Sequence, residues 1–254
     1  MTSGLIILDK PSGLTSFQCV EKVKEILEVK KAGHTGTLDI KVSGILLILV
    51  GEARKLASLF EKMNKTYLGI MHLHKEIELK KLKNALKKFE GEIIQLPPRK
   101  SRVRRVLRKR KIYKLEIKKI EGKDITLLVE CEHGTYIRKL FHDIGQELGI
   151  GAHMKYLRRI AVNDFSESEA INFGELEKRK EDCLINNEEI ISRLKIDKIV
   201  VSKNEEEKIR NGVLIKGNKN FKIGLRVAIF VEKKLKAIGT VKRDKIKIDR
   251  VLLD

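Results

Sequence analysis

The stretch GHTGTLDIKVSGILLILV, residues 33–50, carries the densest information in the chain. Its first half sets two glycines, Gly33 and Gly36, ahead of an acidic residue, Asp39. Glycine lets a backbone turn tightly and come close to a ligand. The loop then leads into residues 45–50, the longest unbroken apolar run, which is far too short to cross a bilayer. Taken alone, Asp39 fits two descriptions. It could end a turn and cap a helix, or it could be a carboxylate displayed to a ligand on a tight loop.

Working outward, residues 4–8 (GLIIL) read as a buried strand that stops at the breaker-rich turn 9–13. Thr15 with Gln18 three places on is a capping box, and the helix it starts has Phe17, Val20, Val23 and Leu27 as its apolar face. After residue 50 a helix turns Ala53, Leu56, Ala57 and Phe60 inward, and residues 67–73 form another strand. Leu79, Leu82, Leu86 and Phe89 mark a Lys-rich helix that ends at Gly91. Residues 113–117 and 125–131 alternate around a turn at 121–124, a hairpin pattern. A helix from Ile137 places Leu140, Phe141, Ile144 and Leu148 inward and ends at Gly149. Strands and helices mix without regular βαβ order, so the expected class is α+β. Residues 163–194 read as a polar connector with one or two helices. Short strands at 199–201, 213–215, 227–231 and 237–241, with one short helix capped by Ser202, suggest a small β-barrel. The expected division is a large domain over 1–190 and a compact one over 195–254.

Fifty-five Lys and Arg against thirty-five Asp and Glu leave a net charge of +20 over 254 residues, which favours a polyanionic partner. Nucleic acid fits better than an anionic membrane: no segment combines a strong apolar face with a Lys/Arg-rich opposite face and interfacial Trp, and Trp is absent altogether. The basic charge peaks at residues 99–111, where nine of thirteen residues are basic and none acidic. Arg99, Arg102, Arg104, Arg105 and Arg108 lie there. The apolar patch at residues 5–8 is too short for a secretory core and meets Asp9 at once. Three scattered cysteines, Cys19, Cys131 and Cys183, show neither zinc spacing nor a disulfide framework, so a reducing cytoplasm is expected. His72 and His74 would share one side of a strand, yet no carboxylate or Cys stands at ligand spacing; no metal is expected.

Lys10-Pro11-Ser12-Gly13-Leu14-Thr15-Ser16, followed by Gly33-His34-Thr35-Gly36-Thr37-Leu38-Asp39, resembles the paired signature of the TruB/dyskerin pseudouridine synthases. The likeness continues through Lys65-Thr66-Tyr67, Leu96-Pro97-Pro98, Gly134-Thr135-Tyr136-Ile137-Arg138, Gly151-Ala152-His153-Met154 and Leu157-Arg158-Arg159. These blocks keep the family's order across residues 4–165, and the segment after residue 195 resembles a compact PUA RNA-binding domain. Met71-His72-Leu73-His74 and the basic segment look more like the archaeal dyskerin branch than bacterial TruB.

The resemblance implies a pseudouridine synthase fold, a mainly antiparallel mixed sheet flanked by helices with a PUA barrel, working without cofactor. It matches Asp39 to the essential aspartate, Arg138 to the arginine paired with it, and Tyr67 to the tyrosine that stacks on the target uracil. Tyr136 and Leu157 match pocket positions, and Lys10 a residue supporting the loop. His34 matches the residue that fills the space left by the flipped base, and Arg158 joins the basic residues expected to meet RNA. The implied partners are an rRNA or tRNA substrate, an H/ACA guide RNA and small H/ACA ribonucleoprotein proteins, with no membrane. A stand-alone enzyme for the T-loop uridine of tRNA, or a non-catalytic RNA-binding protein of this fold, are the alternatives. Three departures stand out. Ile40 replaces the proline that usually follows the aspartate, which would loosen the loop. Thr66 replaces an acidic residue, and Arg102 a small one.

Overall fold

The computed structural model describes residues 2–97, 104–217 and 221–252. The chain runs through β1 (Gly4–Lys10), α1 (Ser16–Ile26), β2 (Ala32–His34) and β3 (Ser43–Val50) into a 3-10 helix, Gly51–Leu59. It continues through β4 (Lys65–Leu73), α2 (Leu79–Lys87), β5 (Gly91–Gln95), β6 (Arg108–Glu121), β7 (Asp124–Cys131), α3 (Ile137–Glu147), β8 (Ala152–Val162) and β9 (Phe165–Ser166). Helices α4 (Phe173–Arg179) and α5 (Asn187–Arg193) lead to β10 (Asp197–Val201), α6 (Glu206–Arg210), β11 (Ile215–Lys216), β12 (Arg226–Val231), β13 (Lys234–Lys242) and β14 (Lys245–Val251). The class is α+β, as expected.

The larger sheet has the order β1-β3-β8-β4-β7-β6-β5, with β2 added to β3 and β9 to β8. Its pairings are antiparallel except β3 with β8. Two sequence textures divide it. Strands β1 and β3 are buried on both faces, so they read as continuous apolar runs rather than as alternation. Ile6, Leu8, Leu46 and Ile48 face α1, through Cys19, Val20, Val23 and Leu27. Leu5, Ile7, Ile45 and Leu47 face the opposite way, onto Leu56 and Phe60, Ile190 and Ile191 of α5, and Phe230 and Leu235 of the smaller sheet. Strands β4 and β7 alternate strictly, because only one of their faces is covered, by Leu82 and Leu86 of α2 and Leu140, Phe141 and Ile144 of α3.

Most of the local expectations hold. The strand expected at 213–215 lies instead at Ile215–Lys216, and Val213 and Leu214 are exposed. The Thr15–Gln18 capping box is present, but Phe17 is exposed, one step around the helix from the Ser16, Cys19, Val20 and Val23 stripe. Leu79 is likewise exposed, at the first position of α2. A bulge between Ile112 and Lys114 turns Ile112 and Leu115 inward and leaves Tyr113 outside. The helix after residue 50 is 3-10 throughout.

The segment at 163–194 does more than connect. Leu5 and Ile185 exchange both backbone hydrogen bonds, the Ile171 amide donates to Ile7, and the Asp9 amide donates to the Ile171 carbonyl. The connector therefore satisfies the outer edge of β1, which would otherwise present unpaired backbone groups. The smaller sheet has the order β10-β12-β13-β14-β11. Its strand β14 was not read from the sequence, because its inward isoleucines, Ile246 and Ile248, are separated by lysines.

Gly44 decides whether the larger sheet can close. It sits at φ +103°, and a Cβ there would lie 2.1 Å from the carbonyl oxygen of Arg159, on the neighbouring strand. Gly44→Ala should therefore destabilise the fold by about 3 kcal/mol or more. Gly122→Ala, at φ +57° with open space around it, should cost only about 1–2 kcal/mol. Denaturant unfolding of the two variants compares them directly.

Candidate active site

The loop between β2 and β3 is held from below. Lys10, fully buried at the end of β1, donates from Nζ to the carbonyls of Pro11 (2.9 Å), Ile40 (3.3 Å) and Val42 (2.8 Å). Burial lowers the pKa of this ammonium from the usual lysine value. Ser16, buried at the start of α1, accepts from the Leu38 amide at 2.8 Å and lies 3.1 Å from its carbonyl as donor. Leu38 and Val42 drop into the core on either side, and the Val42 amide donates to the Asp39 carbonyl at 3.0 Å. With both flanks anchored, the Asp39 side chain is turned outward.

Asp39 pairs with Arg138, in the first turn of α3. The start of that helix is fixed by Gln95, a buried side chain that accepts from the Tyr136 amide at 3.0 Å and donates to the Tyr136 carbonyl at 3.2 Å. The ion pair is not buried: the Arg138 and Asp39 side chains are 53% and 59% exposed. Such a pair adds little to stability. Its use is positional, since it leaves a carboxylate oxygen open to whatever enters from solvent.

Tyr67, on β4, is only 9% exposed. Burial raises the pKa of its phenol, partly offset by the charge of Arg159, which is paired opposite it across β4 and β8. Leu157 on β8 is buried beside it across the strand pair, and Gly69 leaves room there, because a Cβ would come within 2.9 Å of Leu157 and Phe141. His34 lies on β2 with Nδ1 buried and without a hydrogen-bond partner. Burial, then the Arg159 charge, lowers its pKa and favours the neutral imidazole. Tyr136 caps the start of α3, half-buried.

The basic residues divide. Arg99 and Arg102 lie outside the described residues. Arg104 and Arg105 are exposed and Arg108 half-buried, and no ion pair among the described residues engages any of the three. Arg158 does not fit the RNA-contacting role: it makes a two-pronged bond to Asp9 (3.0 and 2.9 Å) and a third to Glu167 (2.8 Å). Strand alternation explains the exchange, because Arg158 and Arg159 point to opposite faces of β8. Arg159, next to the residue chosen from sequence, is the one that enters the site. Gln95 and Ser16 also escaped the sequence reading; each acts on backbone groups far away in the chain, and no spacing signals that.

His72 bonds Asp124 through Nδ1 (2.6 Å), and His74 bonds His153 (3.1 Å). No group of three His, Cys, Asp or Glu among the described residues is arranged to hold a metal. Cys131 is pushed up to about 12 by burial and is no nucleophile. Among the described residues no helix is long and apolar enough to cross a membrane.

A loop-borne carboxylate paired with a helix-borne arginine, above a buried tyrosine on a mainly antiparallel sheet, is the arrangement the motif order led us to expect. The family model for the TruB family pseudouridylate synthase N-terminal domain matches residues 24–80 and 72–137. The model for the tRNA pseudouridylate synthase B C-terminal domain matches residues 138–201. The chain belongs to the TruB family of pseudouridylate synthases. It is 39% identical over 266 residues to a probable tRNA pseudouridine synthase B of Korarchaeum cryptofilum, covering 99% of this chain and 80% of that protein. A protein of the same description from Methanopyrus kandleri is 47% identical over 173 residues, 68% of this chain and 51% of the relative. In most of the curated relatives the matched stretch is about half of their length.

Among solved structures, the fold superposes with a TM-score of 0.86 and 36% identity on a chain of a Cbf5-Nop10-Gar1 complex, over 99% of this chain and 85% of that one. It superposes at 0.82 and 33% on a chain of an H/ACA RNP bound to a substrate RNA containing 2'-deoxyuridine, with the same coverage.

Two predictions follow from the electrostatics of the site. Lys10→Met leaves buried carbonyls without a donor, each worth roughly 1–3 kcal/mol, and should lower the melting temperature by roughly 5–10 °C. Burial, and then the Arg159 charge, bring Lys65 down to about 8. Its folded-state pKa is therefore below the unfolded one, so this group favours folding increasingly as pH rises from about 8 towards the ordinary lysine range. Unfolding measured across that range should show the gain in wild type, and Lys65→Met should lose that part of it.

Proposed function

We propose that this chain isomerises uridine to pseudouridine in RNA, with Asp39 as the catalytic residue. The observation that carries the reading is the Asp39–Arg138 pair: a carboxylate kept oriented by a guanidinium, half-exposed, on a loop anchored at both flanks. The reaction detaches uracil at its N1–C1′ bond and rejoins it through C5, with loss of the C5 proton. A carboxylate suits this either as a nucleophile on the nucleoside or as a base at the ribose. Both routes need it ionised and accessible, and Arg138 favours the ionised form. Tyr67 supplies an aromatic ring for the uracil and a hydroxyl near C5, and base–aromatic stacking is worth roughly 1–3 kcal/mol. Tyr136 and Leu157 line the pocket. His34, uncharged, occupies the place of the flipped base, whose extrusion costs a few kcal/mol.

Ile40 stands where proline is usual, yet its carbonyl accepts from both Lys10 Nζ and the Gly13 amide. Hydrogen bonds supply the rigidity a ring would otherwise give.

We favour guided action: the chain as catalytic subunit of an H/ACA ribonucleoprotein, with small partner proteins and a guide RNA selecting uridines in rRNA. The likeness to chains in Cbf5-Nop10-Gar1 and H/ACA RNP structures supports it. The second reading, guide-free action on tRNA, is favoured by the relatives described as tRNA pseudouridine synthase B. Arg104, Arg105 and Arg108, with Arg99 and Arg102, would hold the RNA backbone, and the small C-terminal domain would act as a PUA module. Each phosphate neutralised on a single strand should steepen the salt dependence of binding by about 0.7.

Tritium release from [5-³H]uridine-labelled RNA tests both levels. Asp39→Ala should abolish release, by at least ~10³-fold, with RNA binding retained. Wild type should act on an rRNA fragment only with a matching guide RNA and partner proteins. Robust turnover of that fragment by the protein alone would sink the guided reading. Silence on every RNA, with binding intact, would leave an RNA-binding protein.

A further inference from the structure

Arg159 has no part in the roles assigned above, and its surroundings are unusual for an arginine. It is 2% exposed, and no ion pair among the described residues gives it a carboxylate. A buried guanidinium without a counter-charge is costly unless its donors are met. Two backbone carbonyls from two elements meet them in part. Nε donates to the Ile45 carbonyl on β3 (2.8 Å), and a terminal nitrogen donates to the Gly36 carbonyl in the loop (3.1 Å). Tyr67 stands directly opposite Arg159 in the register of β4 and β8, and the guanidinium charge acts on its phenol. Its backbone has no room to shift, because Gly44 packs directly against its carbonyl.

We propose that Arg159 is a positioning residue that makes the Asp39 loop and Tyr67 a single unit. This rests on the pseudouridine synthase reading. The chemistry of the guanidinium gives the arrangement a direction. Arginine has donors and no acceptor, so towards the phenol oxygen opposite it the guanidinium can only donate. The loop end of the same side chain fastens Gly36, three residues before Asp39. A displacement of either group is thereby felt by the other. Lysine at this position would keep the charge but could not hold the Ile45 and Gly36 carbonyls in fixed directions while facing Tyr67.

The test is a kinetic cycle on the RNA that wild type turns over, using Arg159→Lys, Tyr67→Phe and the double variant. Arg159→Lys should lower kcat by about 10–100-fold with KM changed less than about 3-fold, since the defect lies in orientation rather than in binding. The double variant should be no more than about 3-fold slower than Tyr67→Phe, because the two changes remove one coupled interaction. Full activity in Arg159→Lys, a loss confined to KM, or multiplying effects would overturn the proposal. Should Arg159→Lys not fold, Tyr67→Phe alone decides through amide hydrogen exchange at Thr35, Leu38 and Val42, the hydrogen-bonded amides of the loop. Faster exchange there by tenfold or more supports coupling through Arg159, and unchanged exchange rejects it. Absence of turnover by wild type would overturn the functional reading instead, and leaves the exchange experiment to judge the coupling.

Discussion

Everything at the Asp39 loop depends on one buried ammonium group. Among the described residues no acidic side chain is bonded to Lys10 Nζ, which draws its compensation from three carbonyls, two of them in the 40–42 segment. A buried cation must be met by acceptors or lose its charge. Folding around Lys10 therefore forces the loop to present those oxygens inward. The Asp39 side chain points outward as a consequence, which reverses the usual relation in which a surface charge is incidental. The same logic operates at Arg159. Two cations without carboxylate partners, one below the loop and one behind it, organise neutral backbone into a scaffold for one exposed carboxylate.

The positions of these charges also explain the electrostatics. Arg159 helps to lower the pKa of His34, Lys65 and Lys10 and opposes the rise at Tyr67, so a single guanidinium biases four ionisable neighbours at once. Water would screen such effects, but the surrounding strands exclude it. The Asp39–Arg138 pair sits outside that dry region. Binding of RNA would cover it, and only then would its interaction strengthen.

Much of this was legible in the sequence because the decisive signals were local. The Gly33–Asp39 loop, the Thr15 cap and the alternation in β4 and β7 each lie within a few residues of one another. The motif order fixed the family, and pointed to Asp39, Tyr67, Arg138 and Lys10 as the residues to examine. The misses share a physical cause. Phe17 and Tyr113 were assigned inward because they are apolar, whereas helix phase and a bulge put them outside. Arg158 is expected to meet RNA, yet the strand sends it to Asp9 and Glu167 and turns its neighbour Arg159 to the opposite face. Gln95 and Ser16 act on backbone atoms 41 and 22 residues away, and no local pattern encodes such a bond.

The strip of chain from Ile171 to Ile185 has a meaning beyond sealing the rim of β1. Composition changes near residue 195, yet Ile190 and Ile191 share a core with Phe60 and Phe165 on one side and Phe230 and Leu252 on the other. The last third of this chain is therefore not an interchangeable cassette. Joined to a foreign N-terminal half, it would meet an unmatched surface and leave a sheet rim unfinished, so the C-terminal portion and the strand that begins the chain are one mechanical unit.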